Sequence, residues 1–372
     1  MKRTLICITM ALILSLWVSL SCSAAVNTFD KEKQQIENSV DGNTAKALEE
    51  MGSAGIDQVI SGGVDTAEVW SYLYRTMTKY LSGPLSALVI LTAAILLTGV
   101  AESYSYSLRY TETKDITSAA VSLFVASVLI SPITELVSDC VTVVQGSSSL
   151  MTVYLPVMAG IMAFSGHMIT SGGYYAAVMT AAGLLSRLAS SVLMPLLNTI
   201  LSLSLCAGIC SKVHLSGLIE TLSKGFKYAV TFSMSVFIAV LGLNSALSGA
   251  ADSVTDKTVK LGLSSFIPLI GSSISEAYSA LQSSLGTLRS GAGVFVILAV
   301  FASFAPVLVR SLLWSGTLFI AKSICEILNI SAMLSVMNIL TQFLSALRAV
   351  LIAVMTVFII SSSIMIRLGG TL

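Results

Sequence analysis

Charge is what this chain is short of. Only 10% of its 372 residues are Asp, Glu, Lys or Arg, against about a quarter in an ordinary soluble domain. Apolar residues make up 55%, so most of the chain is built for lipid. A formal net charge of +1 leaves no basic face of the kind a nucleic-acid partner needs. Histidine is scarce too. His167 and His214 stand far apart in sequence and are too few for a histidine metal cluster. No phosphate-cradling loop of the form GxxxxGK[ST] occurs, so the energy for any driven process comes from elsewhere. The six cysteines form no framework. Cys7 and Cys22 lie near the N-terminus, Cys206 and Cys210 share one helical face of an apolar run, and Cys140 and Cys325 are isolated. They read as small buried apolar residues.

Enzyme chemistry has little to work with. Ser165 lies two residues before His167, but positions two apart do not face each other on a helix. A serine hydrolase also needs an oxyanion hole. The chain therefore reads as a non-enzyme without a cofactor.

Residues 1–25 have the form of a signal peptide: Lys2 and Arg3, an apolar core from Leu5 to Leu20, and Ser23-Ala24-Ala25 as cleavage site. An uncleaved anchor is the alternative, since the core is long. Residues 26–82 form a polar, acidic region. Between Asp30 and Glu68 nine acids face only Lys31, Lys33 and Lys46, and the region is too short and polar to promise a core of its own. It ends in an amphipathic helix capped by Asp65 or Thr66, with Trp70, Leu73, Tyr74, Met77 and Leu81 at helical spacing. Its aromatic residues suit a membrane interface; packing on the rest of the protein is the other option.

Residues 83–372 carry a repeat. Pro84, Pro195 and Pro306 are spaced 111 residues apart, and Pro156 and Pro268 are 112 apart. Ser61-Gly62-Gly63 recurs 110 residues on as Ser171-Gly172-Gly173, with Ser290-Gly291-Ala292-Gly293 in the third place. Ile209–Ser216 and Ile324–Ser331 share isoleucine, cysteine and serine at matching positions. The spacing predicts tandem units of about 110 residues, at 61–170, 171–289 and 290–372. Each has a glycine turn and a helix broken by proline.

A lipid span needs about 20 apolar residues. Six runs qualify: Pro84–Ala101, Ile116–Thr134, Tyr174–Cys210, Phe226–Ala246, Gly293–Ile324 and Phe343–Ser363. Leu150–His167 and Leu261–Leu281 are shorter, Gly/Ser-rich and centred on proline, and read as re-entrant or extra spans. The fold expected is an all-α, polytopic membrane protein of about six spans plus these two. With the N-terminal region extracytoplasmic, Arg109, Lys114, Lys212, Lys224 and Lys227 fall on the cytoplasmic side, in keeping with the positive-inside rule. Lys257, Lys260 and Arg289 fall outside and oppose it. Glu135 and Asp139 belong to an outer loop in this scheme. If the Pro156 and Pro268 segments are re-entrant the repeats run parallel; if they span, the repeats are inverted.

The candidate functional residues are the helix-breaking prolines Pro84, Pro195, Pro306, Pro156 and Pro268, and two arginines inside apolar runs, Arg187 and Arg310. An arginine at mid-membrane turns toward the bundle or water. Arg348 and Lys322 sit where they can snorkel.

The segments LSGPLSALVILTAAILLTG, YLPVMAGIMAFSG, SVLMPLLNTILSL and FIPLIGSSISEAYSAL, with the signal and acidic region before them, resemble the stage III sporulation protein AE family of endospore-forming Firmicutes. The resemblance spans essentially the mature chain and rests on pattern rather than on a catalytic signature. It implies a multi-pass protein of the mother-cell membrane around the forespore. It implies partners as well: the other stage III sporulation A-series proteins and, through them, stage II sporulation protein Q, in a secretion-like channel. The reading that follows is a conduit or permease-like subunit set in membrane lipid, with a homo-oligomer compatible. The alternatives are a non-conducting scaffold that docks the partners and a stand-alone secondary transporter.

Overall fold

The computed structural model describes residues 30–63, 65–108, 111–164, 220–240, 271–328 and 330–368, with short stretches and single positions between 172 and 243. The signal segment, Arg187, Pro268, Ser165, both histidines and the pair Cys206 and Cys210 lie outside the described residues.

The elements are helices. Four are short: α1 (30–38), α2 (Gly42–Glu50), α3 (Ile56–Gly62) and α4 (Thr66–Tyr80). The others are α5 (Ser82–Leu108), α6 (Thr111–Phe164), α7 (220–240), α8 (Gly271–Ile327) and α9 (Ser331–Leu368). Side chains cap the outer helices. Asp41 accepts from the Asn43 N–H at 3.3 Å to open α2, and Asp65 accepts from the Ala67 N–H at 2.8 Å to open α4, the latter as the sequence leads one to expect. At the end of α3, Gly63 takes φ +68°, a left-handed conformation that glycine adopts without steric cost.

Among the described residues four helices are long and apolar enough to cross a membrane: Ser82–Ala101, Leu123–Ala163, Leu285–Ile327 and Met333–Arg367. The course of α6 corrects the span plan in two places. The expected loop after Thr134 and the re-entrant segment at Pro156 are both parts of α6, which runs unbroken over 54 residues. The reason is a single buried stripe. Ile133, Leu136, Cys140, Val144, Ser147, Leu150, Tyr154, Met158 and Ile161 recur every three or four residues, and their packing carries the helix across Pro132 and Pro156. In the same way α8 continues over 57 residues, from the Gly/Ser-rich stretch through Pro306. Among the described residues the helices that carry Pro132, Pro156 and Pro306 are continuous rather than broken.

Helix length then poses a problem. Leu285–Ile327 spans 43 residues, or about 65 Å at 1.5 Å per residue, whereas the hydrocarbon layer is about 30 Å thick. The exposed side chains show how the surplus is handled. Many large apolar residues stand exposed along the long helices: Leu85, Val89, Leu97 and Val100 on α5, Leu123, Phe124 and Ile130 on α6, and Leu312, Phe319, Ile320 and Ile327 on α8; Trp70, Tyr74 and Met77 of α4 are exposed as well. Contacts place these stretches side by side. Thr317 donates to the Pro84 carbonyl at 3.3 Å, Gly99 packs on Leu328 and Ile330, and Arg310 pairs with Glu135 and Asp139. They form one apolar belt, of the kind that suits a lipid environment.

Beyond the belt the first half of α8 is covered. Phe295, Val296, Ala299, Val300, Ala302 and Phe304 are buried beneath α2, α3, α4, α6 and α9. The polar region supplies its side of this shared core through Ile36, Leu48, Met51 and Ile56. Lys227 of α7 donates to Ser345 of α9 at 3.0 Å.

The SG motif serves different ends in its copies. Gly63 ends a helix, but Gly291 and Gly293 lie inside α8, where they permit close approach. A Cβ at Gly291 would stand 2.2 Å from Ile60 Cγ1, and one at Gly293 would stand 2.3 Å from Ile366 Cγ1. Gly293→Val therefore overpacks the junction of α8 with α9 and should cost about 1–3 kcal/mol. Gly286→Ala, with open space around it, should be neutral or stabilising. Thermal unfolding of the two variants in detergent checks the contrast.

Candidate functional site

Proline at 306 has no N–H to give to the residue one turn back, so the carbonyl of Ala302 is left without its helical donor. Ala302 is buried, and an unpaired carbonyl there is costly. The donor comes from outside the helix: the Tyr72 hydroxyl of α4 reaches the Ala302 oxygen at 3.2 Å. Burial pushes the Tyr72 phenol above its usual range, which keeps the proton in place. Next door, the Thr44 and Ser303 hydroxyls meet at 2.9 Å, and Ser303 also donates to the Ala299 carbonyl at 2.8 Å. The proline thus turns one side of α8 into a polar docking strip for the outer helices.

One turn beyond lies Arg310, whose side chain is only 20% exposed. Its Nη1 donates to Asp139 Oδ2 at 2.6 Å, and its Nη2 contacts Glu135 Oε2. The two acids are four residues apart on α6, hence on one face, and a forked guanidinium spans both. The Tyr80 ring lies 6.0 Å from the guanidinium carbon, in cation–π range.

These groups border a cavity of about 980 Å³ between the outer helices and the long ones. Asp41, Lys46 and Glu50 of the α2 region, Arg75 and Lys79 of α4, Asp139 of α6 and Arg310 of α8 give it charges of both signs. Ser147 lines it as well, with a buried hydroxyl that lacks a partner. The cavity lies at the level of Pro306 and Tyr80, where the apolar belt ends. Its lining suits small polar solutes or ions and includes no pair arranged as nucleophile and base.

A family model described as Stage III sporulation protein AE matches residues 55–369. The chain belongs to the stage III sporulation protein AE family. It is also similar to the stage III sporulation protein AE of Bacillus subtilis (strain 168), with 21% identity over 229 residues. That match takes in 61% of this chain and 57% of the relative, so the chain spans little more than half of the relative's length. No solved structure matches. The resemblance drawn from the proline-centred segments is thus a family relationship, and the protein is a sporulation membrane component.

The expected site residues do not all gather at this cavity. Pro306 and Arg310 line it. Pro84 occupies the first turn of α5, where its missing N–H has no helical acceptor to serve. Pro156 lies in the interior of α6 with an exposed side chain. Pro195 is helical and exposed, and its carbonyl accepts from Thr199 Oγ1 at 2.8 Å. Lys322 pairs with Glu326 at 3.6 Å along its own helix. Three participants escaped sequence reading: Tyr72, Glu135 and Asp139. The acids had a usable signal, two carboxylates at i,i+4 inside an apolar stretch, but were assigned to a loop.

The Tyr72–Ala302 bond makes a quantitative claim. Tyr72→Phe orphans a buried carbonyl and should cost about 1–3 kcal/mol. Pro306→Ala restores an N–H to that carbonyl, so Tyr72→Phe should cost much less in its background. A double-mutant cycle on thermal or denaturant unfolding measures this coupling.

Proposed function

We propose that this protein is a membrane subunit of a sporulation-specific, secretion-like channel complex linking mother cell and forespore, acting as a conduit or permease-like subunit. The observation that carries the reading is the charged cavity at the edge of the lipid belt. A polar space of this size beside spanning helices is what small solutes need at a membrane entrance. Arg310, held by Glu135 and Asp139, then serves as a charged element of the entrance whose own field is largely neutralised. In this reading the belt sits in the mother-cell membrane and α1–α4 are extracytoplasmic. The partners are the other stage III sporulation A-series proteins and, through them, stage II sporulation protein Q. No catalytic step and no cofactor takes part.

A second reading, a non-conducting scaffold, draws on the exposed acid Glu49 of α2. Deleting this region cannot separate the two, because Leu48, Met51 and Ile56 belong to the shared core. Surface charge reversal can. Glu49→Lys, at an exposed position outside the cavity lining, should abolish assembly if docking is the whole role, with the fold unchanged.

The conduit reading is tested by Arg310→Leu in an endospore-forming host. The substitution leaves Glu135 and Asp139 without their cation. Spore yield should fall about tenfold or more at normal protein level, with Arg187→Leu as a companion. Wild-type yield at normal protein level for both variants sinks the conduit role.

A further inference from the structure

The amphipathic helix α4 meets both options that its sequence leaves open, on different faces. Tyr72 and Thr76 are buried against the bundle. Trp70, Tyr74 and Met77, at helical spacing on one side, stand outward with 72%, 70% and 48% of their surface exposed. Large apolar side chains left bare in a row call for a cover. The depth at which they stand identifies it.

Depth can be read along α8. Helices α4 and α5 run beside it in step. Hydrogen-bonded partners are 230 residues apart at Tyr72 and Ala302 and 233 apart at Pro84 and Thr317, with Tyr80 beside Arg310 and Gly99 beside Leu328. Two charged groups bracket the apolar belt on α8. One is Arg310 with Glu135 and Asp139, the other the Lys322–Glu326 pair. They lie about 18–24 Å apart along the helix at 1.5 Å per residue. A hydrocarbon layer of about 30 Å centred between them extends only ~5 Å past each, within the snorkelling reach of long side chains. Its nearer surface then falls at Val307 of α8 and, by the constant separation, at Met77 of α4. Tyr74 stands about 5 Å and Trp70 about 10 Å beyond that surface, where the headgroup layer is about 5–8 Å deep.

We infer that Trp70, Tyr74 and Met77 of α4 form a contact surface for the lipid headgroup layer. Each residue suits its depth. Met77 meets the acyl boundary, Tyr74 lies within the headgroups and Trp70 at their outer margin, and both rings offer an apolar body with a polar tip. The surface is continuous with the belt, because Leu81 and Leu85 carry the exposed row into α5. Arg75 and Lys79, exposed and four residues apart, bring positive charge to the level of lipid phosphates. The contact sets the height of the bundle and holds the cavity bounded by Tyr80 and Arg310 at the membrane surface. It rests on the belt lying in lipid and is independent of the conduit reading.

The test uses the full-length protein in phosphatidylcholine vesicles that carry a nitroxide quencher either on the headgroup or in the middle of the membrane. Tryptophan reporters are placed at two exposed positions, Tyr74→Trp and Val89→Trp, each in a Trp70→Phe parent. Val89 lies within about 3 Å of the layer's middle. Quenching beyond that of the parent isolates each reporter from Trp17 and Trp314. The headgroup nitroxide should quench the Tyr74→Trp reporter about twofold or more above the mid-membrane one, with the order reversed for Val89→Trp. If neither nitroxide quenches Tyr74→Trp while Val89→Trp responds at mid-membrane, the lipid contact is overturned and the belt stands; the face then meets water or protein. Equal or stronger quenching of Tyr74→Trp by the mid-membrane nitroxide also overturns it. A Val89→Trp reporter untouched at mid-membrane overturns the belt, and the contact with it.

Discussion

Apolar helices about twice as long as the hydrocarbon layer is thick must hide their surplus side chains somewhere else, and much of this structure follows from that constraint. In α8 the half that carries Phe319, Ile320 and Ile327 faces lipid, whereas the half that carries Phe295, Val296 and Phe304 is roofed by other helices. The acidic N-terminal region is the roof. Its Ile36, Leu48, Met51 and Ile56 have no core of their own and complete that of α8, while Asp41, Lys46 and Glu50 line the cavity. The division between membrane part and outer region, plain in composition, is therefore absent from the packing.

Proline contributes by what it removes. At Pro84 the lost N–H falls in a first turn and costs nothing. At Pro306 it strips Ala302 of its donor, and Tyr72 supplies a replacement across a helix boundary. That bond fixes α4 against α8 at one height. The same height sets Tyr80 beside Arg310 and Thr317 beside Pro84, so the start of α5 is placed by the same junction. The site and the edge of the lipid belt thus share one cause.

Much of this was legible in the sequence. The all-helical class, the Asp65 cap and the Gly63 turn follow from propensity and spacing. The errors share a source. Glu135 with Asp139, and Gly291 with Gly293, carry the local marks of a loop or turn, and local marks were given precedence. Tertiary packing overrode them, because the buried stripe of α6 keeps its period on both sides of the acids. The glycines answer to Ile60 and Ile366, residues far away in sequence that no local rule connects to them. Tyr72 was invisible for the same reason, since its acceptor is 230 residues away.

The two arginines of α8 bring these threads together. They are about 30 Å apart along one axis, so they mark the two ends of the roofed segment. Arg310 stands where the roof meets lipid and can draw on acids that are themselves partly in water, Glu135 and Asp139. Such a pair holds two helices in register at little desolvation cost, because its carboxylates stay hydrated. Arg289 stands at the far end, enclosed by α6 and α9, where desolvation is nearly complete and hydrated acids are out of reach. One residue type in one helix therefore faces opposite electrostatic settings. Where the chain supplies the counter-charge, the arginine acts as a clasp. Where it does not, the arginine is a buried charge that weighs against the stability of the roofed segment.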